Sequence, residues 1–177
     1  MNALLAVSRV IDALNRRLGQ FLIWLTLLAT VIATGNALVR KLFDIGSNAF
    51  LEIQWYLFAT VFMLGLGFVF LENGHVRIDV LAGRFSPRVR NAIDVAGILL
   101  FVFPLCYFMA SFAWPIVVQA YHSGEVSSNA GGLLRWPLFA LVPLGYALLA
   151  LQALSELIKR IAFLAGIAPD PLASSAH

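Results

Sequence analysis

Charge is what this sequence has least of. Asp, Glu, Lys and Arg make up 12% of its 177 residues, about half the share of a soluble domain, while 61% are hydrophobic. A soluble fold of this size could not cover its own surface with so few polar groups. Cysteine is nearly absent as well: Cys106 stands alone, which excludes an internal disulfide scaffold. The 13 glycines and 7 prolines are too few for a collagen-like repeat, and the chain is too apolar for disorder. Its three histidines (His75, His122 and His177) all lie outside the long apolar runs. Paired haem ligands at depth on facing helices are therefore missing. Zinc-ligand spacing, a Gly-rich phosphate loop and a Ser-His-Asp set are missing too. What remains is an integral membrane protein, with no catalytic, cofactor-binding or metal residues expected. A net charge of +3 and a pI near 9.4 could suggest nucleic acid. The basic residues cluster at the ends of apolar runs, however, and so read as a topology signal.

Four such runs, at about 18–39, 50–71, 93–120 and 136–157, are long enough to cross a hydrocarbon core of about 30 Å, which takes about 20 helical residues. Continuous runs of this length argue against alternating β-barrel strands, and closing every backbone hydrogen bond in lipid demands helices. Nine of the twelve basic residues fall on one side: Arg9, Arg16, Arg17, Arg77, Arg84, Arg88, Arg90, Lys159 and Arg160. Arg40, Lys41 and Arg135 fall on the other. The positive-inside rule thus places both termini in the cytoplasm, with Trp55, Trp114 and Trp136 near the outer interface and Trp24 near the inner one. The first run continues to Arg40-Lys41, as an uncleaved signal anchor does.

The expected fold is all-α: one four-helix membrane domain over 1–165, two amphipathic surface helices, and a disordered tail over 166–177. The first surface helix, 2–17, is read from Leu4, Val7, Ile11, Leu14 and Leu18, an apolar stripe at helical spacing opposite Ser8, Arg9, Asp12, Asn15 and Arg16. Asp12 and Arg16 are spaced for an i,i+4 pair. The second, 76–85, carries Ile78, Leu81 and Phe85 on one face. Ser86-Pro87 then reads as an N-cap with proline at the first helical position. A third helix from there to about residue 121 is longer than a membrane needs, so it would tilt strongly, project into the cytoplasm, or bend at Pro104 or Pro115.

Few residues invite chemistry. Glu52 heads an otherwise apolar span and calls for a partner, either Arg40 or Lys41 at the same level or another subunit. His75 and Asp79 are spaced i,i+4, one turn beyond Glu72. They suit a local hydrogen bond or ion pair better than a metal site, for which two ligands rarely suffice. Gly65, Gly67 and Gly145, with Ala29, Ala33, Ala92 and Ala96, would let helices approach closely. With so few polar residues inside the spans, no path for a polar solute is apparent.

The second span and its following loop resemble a known family. Leu51-Glu52-Ile53-Gln54-Trp55-Tyr56-Leu57-Phe58, Phe62-Met63-Leu64-Gly65 and Asn73-Gly74-His75-Val76-Arg77-Ile78-Asp79-Val80 look like the small, DctQ-type membrane subunit of tripartite ATP-independent periplasmic (TRAP) transporters. Trp136-Pro137-Leu138-Phe139 and Pro143-Leu144-Gly145-Tyr146 look like that family's last helix. The chain departs from the pattern in having Leu51 before a single Glu52, and Leu71-Glu72 where a basic residue is common before the histidine. The resemblance implies a non-catalytic stator in the bacterial inner membrane, embedded among lipids and without cofactors or nucleic acid. It would belong to a sodium-coupled importer of organic acids. Its partners would be a large DctM-type subunit, which holds the substrate and sodium sites, and a periplasmic DctP-type binding protein. Glu52, Trp55, Tyr56, Gly65, His75, Asp79, Pro137 and Gly145 are then the interface or structural candidates. The alternatives are a membrane anchor for a redox enzyme and a self-sufficient small exporter.

Overall fold

The computed structural model describes residues 2–43, 48–72, 85–129 and 132–171. Four helices in it are long and apolar enough to span a membrane: α1 (Asn2–Phe43), α2 (Asn48–Leu71), α3 (Pro87–Ser123) and α4 (Trp136–Leu164). The proposed surface helix 76–85, together with His75 and Asp79, lies outside the described residues but for Phe85.

Helix α1 has 42 residues and is about 63 Å long at 1.5 Å per residue. Nothing between the 2–17 stretch and the first span breaks it, so the two form one continuous helix. It turns part of its polar face toward α4 and most of the apolar stripe outward. Ser8 and Asn15 are buried alongside Ile11, whereas Leu4, Val7 and Leu14 are exposed. The polar side chains turn inward because α4 offers them hydrogen-bond partners, and lipid offers none.

Helix α2 is interrupted for one residue at Gly65, between Asn48–Leu64 and Leu66–Leu71. Both flanking bonds survive, Gly65 N–H to the Val61 carbonyl at 3.0 Å and Val69 N–H to the Gly65 carbonyl at 2.9 Å. Helix α3 starts as its sequence suggests, with the Ser86 hydroxyl accepting from Val89 N–H and Pro87 in the first turn. It rewinds into a π turn over Ile98–Val102, where Phe103 N–H reaches back to the Ile98 carbonyl. Pro104 follows directly and has no N–H to continue the α-ladder, a recognised cause of such turns. Pro115 passes without a break. Gly124 closes the helix in the left-handed region (φ 62°), which glycine adopts without steric penalty.

Helix α4 packs against all three others. Close approach depends on glycine: a Cβ on Gly145 would meet the Met63 carbonyl carbon at 2.9 Å, and one on Gly67 would meet the Leu148 carbonyl oxygen at 3.1 Å and collide with Asn15 Oδ1. Fully buried Ala29, Ala120, Ala153 and Ala162 extend this small-residue packing. Large apolar side chains point outward instead, with Trp55 75%, Phe101 73% and Phe112 72% exposed, the surface that a lipid environment requires.

Candidate functional site

Two polar assemblies sit at opposite ends of the bundle. At the end joined by the loop between α3 and α4, Glu52 is buried in the first turns of α2. Its partners are neither Arg40 nor Lys41. One carboxylate oxygen accepts from Asn129 Nδ2 at 2.7 Å and the other from Leu133 N–H at 2.8 Å. The loop turns back on itself there: Val126 and Leu134 form an isolated antiparallel bridge, Ser127 N–H reaches the Leu133 carbonyl at 2.9 Å, and Arg135 N–H reaches Glu125 at 3.0 Å. Glu52 thus caps orphan donors of a segment 77–81 residues away, holding a tight turn onto α2. One turn on, the Tyr56 hydroxyl donates to the Leu134 carbonyl at 2.7 Å. Arg135 and Glu125 pair at 2.7 Å, but both are partly exposed, so this pair adds little.

The other sequence candidates divide by role. Trp55 projects outward from α2. Gly65 is buried near the Leu22 side chain, and Gly145 lies against the Met63 backbone. Pro137 sits in the first turn of α4, beside Trp136, whose ring meets that of Tyr121 edge-on at 5.5 Å.

The end that carries both termini holds a larger assembly that sequence reasoning missed. Asp12 of α1 accepts from three side chains of α4: Gln152 Nε2 at 2.8 Å, Ser155 Oγ at 2.6 Å and Lys159 Nζ at 3.0 Å. The single Ser155 proton goes to that carboxylate, so Ser8 is the donor in the 2.7 Å contact between the two hydroxyls. Asn15 Nδ2 donates to Gln152 Oε1 at 2.9 Å. Glu156 accepts from both Lys159 and Arg160, and Arg160 Nε reaches Asp94 of α3 at 3.1 Å. Ser8, Asn15, Gln152, Ser155, Glu156 and Arg160 are all at most 3% exposed. Hence Asp12 pairs with Lys159, not with Arg16, which instead meets Glu72 at the end of α2 at 3.5 Å. Below them Asn91 Nδ2 donates to Asp170 at 3.0 Å, so the tail is anchored as far as Pro171, the last described residue. The signal was present as spacing: Ser8, Asp12 and Asn15 recur at intervals of 4 and 3, and Gln152, Ser155, Glu156 and Lys159 share one face.

As chemistry, this assembly is a lock. Three carboxylates (Asp12, Asp94, Glu156) and two cations (Lys159, Arg160) from three helices bond to one another, and Gln152 and Ser155 take up further polar capacity. Among the described residues no three His, Cys, Asp or Glu side chains converge as metal ligands would, and Cys106 is buried as a thiol within α3.

Residues 29–163 match the family of tripartite ATP-independent periplasmic transporters, DctQ component. The chain belongs to the DctQ family. It is 28% identical to the C4-dicarboxylate TRAP transporter small permease protein DctQ of Pseudomonas aeruginosa, over 88% of this chain and 86% of that one. No solved structure matches it. This DctQ chain is therefore a small permease subunit of a TRAP transporter, a multi-pass protein of the inner membrane. The matched stretch includes Glu52, Trp55 and the residues around them. The family match begins at Ala29, beyond Ser8, Asp12 and Asn15, so the α1 half of the buried network lies outside the matched stretch.

Proposed function

We propose that this DctQ subunit is a stator. It carries no reaction and no solute path of its own, and gives a DctM-type subunit a fixed body to move against. On this reading the large subunit takes up organic acids with sodium, delivered by a DctP-type binding protein. Both termini face the cytoplasm, as the bias of Lys and Arg suggests. The organic-acid class follows the Pseudomonas relative, which is named for C4-dicarboxylates.

The observation that carries the proposal is how the buried polar groups are used. Asp12 of α1 and Asp94 of α3 pair with Lys159 and Arg160 of α4, and Glu156 of α4 accepts from both cations; these groups are not strung along a route through the bundle. A transport path would need polar groups facing a cavity at mid-depth. Between the two ends, the buried groups among the described residues are small or apolar, such as Leu22, Ala29, Gly67, Ile98, Cys106, Gly145 and Leu149. Sodium-driven uptake measured in proteoliposomes containing the large subunit, with and without this chain, tests the reading. Uptake should collapse without it, and the two subunits should co-purify from mild detergent. Undiminished uptake in its absence would sink the proposal.

A further inference from the structure

At the loop end of the bundle a polar notch of about 380 Å³ opens between α1 and α2, lined by Asn36, Arg40, Lys41 and Gln54 together with small and apolar groups. Its charge has one sign. Arg40 and Lys41 have no carboxylate partner among the described residues, and the two amides add donors. Gln54 Nε2 is buried without an acceptor, and a half-turn of its amide presents that donor to the notch. The same Gln54 begins a second, larger hollow of about 760 Å³ that runs along α2 past Trp55, Phe58, Ala59 and Phe62 and is almost wholly apolar. From Gln54 to Phe62 the helix rises about 12 Å. A cationic donor cluster at one end and an apolar trough at the other, joined at one residue, match the two halves of a single amphiphile.

We propose that the notch holds the phosphate of an anionic phospholipid whose acyl chain lies in the α2 trough. Two features point to a lipid over a soluble anion. The notch and the trough meet at Gln54, and exposed apolar side chains such as Trp55, Phe58 and Phe62 line the trough. Arg40 and Lys41 also stand on the side of the chain that is otherwise poor in basic residues, against the bias that orients such proteins, so a purpose beyond topology is called for. Basic residues at the membrane surface attract anionic headgroups strongly enough for two of them to set a preference of about tenfold or more.

Native mass spectrometry of the delipidated full-length chain, titrated with dioleoyl phosphatidylglycerol or dioleoyl phosphatidylcholine, tests this. Phosphatidylglycerol should be retained about tenfold better than phosphatidylcholine. Arg40→Gln with Lys41→Gln should erase that preference. Ala59→Trp, which fills the trough, should weaken both lipids. Arg9→Gln with Arg17→Gln, at the opposite end, should leave the preference intact and so exclude diffuse attraction to positive charge. Equal retention of the two lipids, or a preference that survives the Arg40 and Lys41 changes, would overturn the proposal. So would competition by glycerol 3-phosphate as effective as that by the lipid, which would make the notch a site for soluble anions.

Discussion

Arg160→Met tests whether the buried assembly is a lock or merely a collection of contacts. Arg160 is 1% exposed; it ties α4 to α3 through Asp94 at 3.1 Å and pairs with Glu156 one turn back on its own helix. Methionine keeps much of the length and apolar stem while removing every donor. Asp94, with 28% of its side chain exposed and further interactions of its own, can take up water. Glu156, 3% exposed, cannot, and is left with Lys159 alone. Removing one partner of a buried pair costs about 3–5 kcal/mol. The surviving lysine puts this case near the lower end, about 3 kcal/mol. For a chain of this size that is roughly 6–12 °C in melting temperature. The second arm is Arg160→Met with Glu156→Leu, which removes both charges. Exchanging a whole buried pair for apolar groups is often neutral, so the double variant should return to within about 1 kcal/mol of the native chain. It should therefore be more stable than the single one. Thermal unfolding of the full chain in mild detergent, followed by loss of the monodisperse species, reads both. A single variant that melts within about 2 °C of native, or a double variant no better than the single, would refute the reasoning.

Gly67→Ala places a methyl against Asn15 and the Leu148 carbonyl and should destabilise by about 1–3 kcal/mol. Gly97→Ala, where a Cβ meets nothing within 4 Å, should be neutral or stabilise by about 0.5–1 kcal/mol; the same melting assay compares them, and equal losses would contradict the packing described. Glu52→Ala should speed hydrogen exchange of the amides at Ser127 and Leu133, whereas Glu52→Gln, with the Asn129 amide turned over, retains both bonds and should exchange nearly as the native chain does. Tyr56→Phe removes the bond to the Leu134 carbonyl, worth about 0.5–1.5 kcal/mol, and should raise exchange in the same loop about two- to tenfold. If the loop end contacts the partner subunits, Glu52→Ala lowers recovery of the complex in pull-downs more than Asp170→Ala does; equal recovery would disprove that contact.

The spans were legible because insertion into lipid depends on summed apolarity, which is a property of sequence alone. Their ends were less so. The fourth apolar run was read over about 136–157, and the helix that carries it continues to Leu164, with the charges of Glu156, Lys159 and Arg160 each meeting an opposite one. What the polar face of α1 packs against was hidden for a related reason. The stripe of Leu4, Val7 and Leu14 is real, but whether it faces lipid or protein depends on what the neighbouring helix offers, and Gln152, Ser155 and Lys159 lie about 140 residues away. Glu52 was recognised as a group needing a partner. Arg40 and Lys41 were plausible from depth alone, and only the fold of the loop shows Asn129 and the Leu133 amide reaching it first.

Lipid tails are as apolar as leucine, so apolar side chains by themselves do little to hold one spanning helix against another. Other devices must set the register of this bundle, and each is found at a different level. Buried ion pairs and amides join α1, α3 and α4 at the end with the termini. Glycines 67 and 145 set α2 against α4 in the middle. Glu52 and Tyr56 bind α2 to the segment that leads into α4 at the far end. All three converge on α4, so no helix can slide or rotate without breaking polar bonds that lipid cannot replace. A subunit whose task is to stay fixed while its neighbour moves requires that property. Pairs of spin labels on exposed positions of α1 and α3 should accordingly report the same distance with and without sodium and substrate in the assembled transporter. A shift between those conditions would mean that this chain moves with the transport cycle.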